Sequence, residues 1–218
     1  MSRSEAEILW QVASVLARDA AKVSRAAGRP RPDPPPLLFF TDPRRTPRPW
    51  ETAARLPPGA AVVFRAFGAA DARDTAARLR EVTARRGVLL LIGRDAELAE
   101  TTGADGVHLP ERALAEAPTL AGLRPDWHLT GAAHGVEAFT LAAGLEALVL
   151  SPVFAVGGPS GARPALGVAG FSALARQAPV PVYALGGLDG GTAGALVGSG
   201  ACGLAGVSAV QRAFGPAG

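Results

Sequence analysis

The sequence predicts a compact (βα)8 TIM barrel carrying an extra N-terminal helix, and three observations predict it. From Leu37 onward, short apolar runs alternate with helix-like stretches, the pattern of parallel strands joined by crossover helices. About eight such units fit into roughly 180 residues, the number that closes a barrel, though below its usual size. No Gly-x-Gly-x-x-Gly turn follows the first run, which disfavours an open doubly wound sheet.

Taken in order, Ser4 to Ala27 reads as one amphipathic helix. Its apolar stripe is Ile8, Leu9, Val12, Val15, Leu16 and Val23, with Ala20 filling the gap. Gly28 to Pro36 is dense in proline, which blocks a helix and reads as an extended connector. Residues 1–36 therefore form a helix and linker, and residues 37–218 the barrel domain. The expected strands are Leu37–Phe40, Ala61–Phe64, Val88–Ile92, Gly106–Leu109, His128–Thr130, Ala147–Leu150, Val182–Leu185 and Gly203–Gly206. The expected helices are Asp71–Arg86, Asp95–Thr102, Leu114–Leu123 (shortened or bent by Pro118), Val136–Ala143, Val168–Gln177, Thr192–Ser199 and Val207–Phe214. The stretch from Trp50 to Leu56 is less regular.

Composition narrows the function classes. The chain has 218 residues, 48% hydrophobic and 19% charged, enough for one domain with a substantial core and too apolar for disorder. Its pI of about 9.9 comes from scattered arginine, with Lys22 the only lysine and a net charge of only +3. A nucleic-acid footprint needs clustered charge, so none is expected. No run of about 18 apolar residues is present to span a membrane. A single cysteine, Cys202, excludes an intramolecular disulfide framework and multi-cysteine metal sites. That lone thiol and the lack of a signal peptide point to the cytosol.

In a barrel, chemistry sits at the C-terminal strand ends. The seventh and eighth ends carry Gly186, Gly187, Gly206, Val207 and Ser208. Glycines there let backbone N–H groups reach an anion, so these residues are candidate phosphate binders; tight turns alone are the plainer explanation. His134 and His108, at the fifth and fourth ends, are candidate acid–base catalysts, set against a structural role for each. His128, at a strand start, reads as structural. Arg65 ends the second strand, where it can hold an anion or form an ordinary salt bridge. The loop Val153–Gly167 is long enough for a lid, with Arg163 its only charge. Asp95 reads as a helix cap, and no histidine pair has metal-ligand spacing, so neither metal nor cofactor is expected.

Five stretches resemble the thiamine-phosphate synthase family: Leu38-Phe39-Phe40-Thr41-Asp42, Gly103-Ala104-Asp105-Gly106-Val107-His108-Leu109, Ser151-Pro152-Val153-Phe154, Ala184-Leu185-Gly186-Gly187-Leu188 and Gly206-Val207-Ser208. The resemblance runs from about Leu37 to Phe214. It implies a thiazole-phosphate-like ligand on Gly186, Gly187 and Ser208, with Arg65 and Ser151 on the substrate side. Family synthases join a pyrimidine diphosphate to a thiazole phosphate using magnesium. Here Phe67 stands in the place of their lysine, Gly93-Arg94 in place of Asn-Asp, Pro110-Glu111-Arg112-Ala113 in place of Gly-Gln-x-Asp, and Val156-Gly157-Gly158-Pro159 in place of Thr-x-Thr-Lys. A hard cation thereby loses its anchors. The thiazole tautomerase branch is more similar: it too carries Gly-Arg and Leu-Pro at those ends, and a histidine matching His134. That branch implies a proton transfer aromatising a thiazole carboxylate phosphate without metal.

Three readings follow: a metal-independent tautomerase, a divergent synthase, and a phosphate-ligand binding or regulatory protein without chemistry. The expected partner is a phosphorylated thiazole small molecule, with a homodimer left open.

Overall fold

The structure is a computed structural model that describes residues 3–26, 34–155, 157 and 163–216. Eight parallel strands close into a barrel in sequence order: β1 Leu37–Phe40, β2 Ala61–Phe64, β3 Leu89–Gly93, β4 Gly106–Leu109, β5 His128–Ala133, β6 Ala147–Leu150, β7 Val182–Leu185 and β8 Ala201–Gly206. β1 pairs with β8 through Leu38 opposite Ala205, which completes the closure.

Alternation along the strands makes two cores. Leu38, Phe40, Ala61, Val63, Leu91, Ala147, Val149, Tyr183, Cys202 and Ala205 form the cluster inside the barrel. Leu37, Phe39, Val62, Phe64, Leu90, Ile92 and their counterparts face the helices. Tyr183 closes the interior at the strand-start end, its hydroxyl donating to the Pro35 carbonyl at 2.6 Å.

The helices are α1 Glu5–Ala26, α2 Pro49–Ala53, α3 Ala72–Arg86, α4 Ala96–Thr102, α5 Ala117–Leu123, α6 Gly167–Ala175 and α7 Ser208–Phe214. Pro118 falls in the first turn of α5, where a missing N–H costs nothing, and a 3-10 turn over Glu111–Glu116 precedes it. The irregular stretch near Trp50 contains the short α2.

Three expectations are corrected. β5 and β8 are longer than their apolar runs, because Gly131, Ala132, Ala133 and Ala201 pair as strand without a large side chain to announce it. At Gly131 a Cβ would meet the side-chain ends of Leu114 and Leu145, which pack over the bare backbone there and would have to move aside. The helices expected after β5 and β7 are 3-10 turns, Val136–Leu141 and Ala193–Leu196. On α1 the buried residues are Leu9, Ala13, Leu16, Ala17 and Ala21, whereas Ile8, Val12 and Val15 are only half-buried. The face is rotated toward alanine because α1 packs on β8, itself built of small residues. Residues 27–33 of the proline-rich connector, and the Val23 side chain, lie outside the described residues.

α1 thus covers the flank that the short turn between β7 and β8 leaves open. Its first turn lies against Gly190, beyond the end of β7. Leu16, Asp19 and Ala20 lie beside Val180–Val182 and Gly198–Ala201, at the strand starts. Among the described residues no helix is long and apolar enough to cross a membrane.

Candidate functional site

A cleft of about 560 Å³ opens at the C-terminal end of the barrel. It gathers Arg65, His134, Ser151, Gly186, Gly187, Gly206, Val207 and Ser208, eight of the nine residues the sequence nominates. His108 is the one left out.

At the β5 end, His134 Nδ1 lies 2.8 Å from the Ser151 carbonyl oxygen and 3.3 Å from Ser151 Oγ. A carbonyl only accepts, so Nδ1 carries the hydrogen, and Nε2 is the nitrogen available for proton exchange. Glu111 Oε2 is 3.9 Å from Nε2 and is buried without a hydrogen-bond partner. Glu111, in the turn after β4, was not a candidate from sequence, because nothing local marks which surface glutamate faces a neighbouring strand end.

The β7 turn needs glycine for two reasons. Gly186 and Gly187 have φ of 105° and 66°, the left-handed region. A Cβ on Gly187 would also stand 2.6 Å from Phe154 Cβ and 2.8 Å from the Ala155 carbonyl oxygen. The β6 loop lies that close because Val153 N–H donates to Leu185 O and Phe154 N–H to Gly186 O, at 2.9 and 3.0 Å. Asp189 ties the end of the turn, accepting from the N–H groups of Gly191 and Thr192 at 2.9 Å, and the Thr192 hydrogen bonds hold its carboxyl below the usual range. Beside that turn, Gly206, Val207 and Ser208 lead into α7, whose first N–H groups have no acceptor within the helix. α7 is only seven residues, so those N–H groups outweigh any helix dipole.

Arg65 is held by its own strand end. Its N–H donates to Thr41 Oγ1 and its Nε to the Thr41 carbonyl, at 2.9 and 2.8 Å. The guanidinium carbon lies 5.3 Å from the Phe40 ring centre and 5.2 Å from that of Phe67, which takes a left-handed φ of 50°. Its Nη2 is buried and unpartnered. Burial, then repulsion from Arg45, brings its pKa down to about 10, so it stays cationic near neutrality. Arg45, Arg163 and Arg212 also line the cleft. Arg45 and Arg212 were missed from sequence, though Arg212 stands four residues after Ser208, one helical turn away on the same face.

His108 points into the barrel. It is 6% exposed, its Nδ1 is 3.0 Å from Thr130 Oγ1, and its ring meets Phe40 edge-on at 4.9 Å. Burial, reinforced by Arg65, drops its pKa to about 3, so it is neutral at physiological pH. His128 pairs with Glu146 Oε2 at 2.8 Å, near the strand starts.

The donor set at the ends of β1, β3 and β4 does not fit the magnesium of a family synthase. Arg94 follows β3, Asp95 is occupied capping α4 through Leu98 N–H at 2.8 Å, and Asp42 accepts from Arg44 and Arg45. Among the described residues no group of three His, Cys, Asp or Glu is placed to hold a metal. Of the loop Val153–Gly167, residues 156 and 158–162 lie outside the described residues. Its base is closed by Leu166 N–H to Pro152 O and Gly167 N–H to Val153 O, at 3.0 and 2.8 Å.

A thiamine-phosphate synthase of Methanoculleus marisnigri is 30% identical over 142 residues, covering 64% of this chain and 67% of that protein. A protein named putative thiamine-phosphate synthase 2 from Aquifex aeolicus is 31% identical over 135 residues, 61% of this chain and 72% of its own. The solved thiamine phosphate pyrophosphorylase from Pyrococcus furiosus superposes with a TM-score of 0.66 at 22% identity, covering 82% of this chain and 91% of that one. A structure of FabK from Thermotoga maritima also superposes, at 0.62 and 16% identity over 82% of this chain and 59% of its own, so at this distance superposition speaks to fold alone. The family model described as thiamine monophosphate synthase matches residues 39–210, and this chain is a member of that thiamine-biosynthesis family.

Proposed function

We propose that the chain is a metal-independent tautomerase of a thiazole carboxylate phosphate, of the thiazole tautomerase branch, with His134 as its acid–base. The observation that carries this reading is that His134 shares one cleft with the glycine turns of β7 and β8, while the ends of β3 and β4 lack a magnesium donor set.

The ligand's phosphate rests on the N–H groups of Gly186, Gly187, Gly206, Val207 and Ser208. Arg65, through its unpartnered Nη2, and Ser151 flank the ring. His134, kept in one tautomer by the Ser151 carbonyl, takes a proton from one ring position at Nε2 and returns one at another. Substrate and product are isomers, so no oxidant or co-reactant is required. Glu111, with Oε2 3.9 Å from Nε2, borders the nitrogen that exchanges the proton. His108, buried and neutral, serves in this scheme as a wall of the barrel beneath the site rather than as the proton carrier.

The test is aromatisation of the thiazole carboxylate phosphate, followed by its ultraviolet absorbance, together with calorimetric titration of thiazole phosphate with and without magnesium. Magnesium-independent binding and turnover that vanishes in His134→Ala is the expected result. Intact turnover in that variant sinks the assignment. The names of the relatives favour a second reading, a divergent synthase, which requires magnesium-dependent thiamine phosphate formation from both substrates. Binding without turnover under either condition leaves a ligand-binding protein.

A further inference from the structure

We infer that Arg212 is a contact for the ligand's phosphate and that Glu5, from the N-terminal helix, is the residue that positions it. The inference rests on the phosphate reading of the cleft. Both residues lie outside the segment that matches the family, residues 39–210.

Arg212 lines the cleft together with Gly187 and Ser208. It stands one turn beyond Ser208 on α7, and helical side chains lean toward the helix start, so its guanidinium is carried back toward the glycine turns. Glu5 Oε1 accepts from Arg212 Nη2 at 3.3 Å and from the Gly190 N–H at 3.4 Å. One carboxylate oxygen thereby links α1 to both walls of the site, the β7 loop and α7. The approach is close: a Cβ on Gly190 would lie 3.3 Å from Glu5 Cγ and 3.7 Å from Ile8 Cδ1.

An ion pair as exposed as this one, with side chains 57% and 30% accessible, contributes little to stability. Orientation is the larger effect. A guanidinium has five N–H donors in a fixed fork; Glu5 engages one end and leaves the rest for an anion. The helix that fills the flank beside β7 and β8 is thus also a support for the ligand site.

The experiment is titration of the full chain with inorganic phosphate, read by calorimetry. Arg212→Ala is expected to weaken binding about tenfold, the loss of one charge-assisted contact. Glu5→Ala weakens it about threefold, with no further loss when added to Arg212→Ala, because it acts only through that side chain. Glu5→Gln keeps an accepting oxygen and binds phosphate at least as tightly as the wild type. Unchanged affinity in Arg212→Ala overturns the contact. An undiminished Glu5→Ala effect in the Arg212→Ala background, or a Glu5→Gln variant as weak as Glu5→Ala, overturns the positioning. If Gly187→Ala abolishes binding and Arg212→Ala leaves it intact, the glycine site stands and this inference alone falls. If the wild type binds no phosphate, both fall.

Discussion

The two sides of the barrel mouth are unlike. Along the ends of β5 to β8 the chain presents glycine backbone, an imidazole with one committed nitrogen, and an arginine that lines the cleft. Along the ends of β3 and β4 several groups are already engaged by the chain, although Glu111 Oε2 is not. Arg94 N–H donates to the His108 carbonyl, Asp95 caps α4, and His108 turns inward onto Thr130. Proximity to a strand end therefore does not make a residue a ligand contact. A group faces ligand only where the fold leaves a donor or acceptor unused.

The two histidines give the sharpest test of that contrast. His134→Ala should lower turnover at least about a hundredfold, the usual range for a lost acid–base, with phosphate affinity within twofold. His108→Ala should act on folding instead, costing about 3 kcal/mol from the cavity it leaves, read by denaturant unfolding. Equal catalytic losses in both variants, with both well folded, would erase the distinction.

Next in size is Gly187→Ala. The left-handed φ and the contact with the β6 loop should cost about 2 kcal/mol of stability and displace the turn enough to weaken phosphate binding more than about tenfold. A variant that binds normally would mean that phosphate does not rest there.

Acid unfolding separates His108 from His128. The folded pKa of His108 is depressed to about 3, so below the unfolded value near 6.5 the unfolded chain holds the extra proton. Its presence should therefore erode stability as pH falls, by up to about 1.4 kcal/mol per pH unit. His128 has the opposite sign. The hydrogen bond to Glu146 raises its pKa, so its contribution is full below about 6.5 and fades as pH rises through the folded value. His128→Gln should flatten the alkaline side of the stability profile and leave the acid side; a profile unchanged on both sides would discount the pair.

The smallest effect probes the engaged side. Arg94 takes a left-handed φ of 68°, so Arg94→Gly should raise stability by about 1 kcal/mol and leave phosphate affinity unchanged. Weaker binding in that variant would bring the β3 end into the site.

Much of this was legible in the chain. β1, β2, β4, β6 and β7 occupy the residues of their apolar runs, because large aliphatic and aromatic side chains mark both strand and burial at once. β5 and β8 extended past theirs because glycine and alanine join the ladder through the same backbone groups as valine but send no periodic signal. At Gly106 the same economy is visible: a Cβ there would collide with the backbone of His128, so the motif that looked like a family signature is a packing requirement. Asp105 in that motif accepts from Leu90 N–H and Arg80, at 2.8 and 2.7 Å, bracing β3 rather than meeting ligand.

The sequence by itself determined the closed barrel, the mouth as the place of chemistry, and the glycine turns that line it, because strand periodicity and backbone freedom are local properties. Only the tertiary structure decided that His108 faces inward while His134 faces the cleft, that Glu111 comes within 3.9 Å of His134 Nε2, and that Arg212 lines the cleft. It also decided that α1 packs on β8 and on the 3-10 turn between β7 and β8. Those outcomes depend on which side chains meet across neighbouring strand ends and across residues as far apart as Glu5 and Arg212, and no window of local sequence contains both partners.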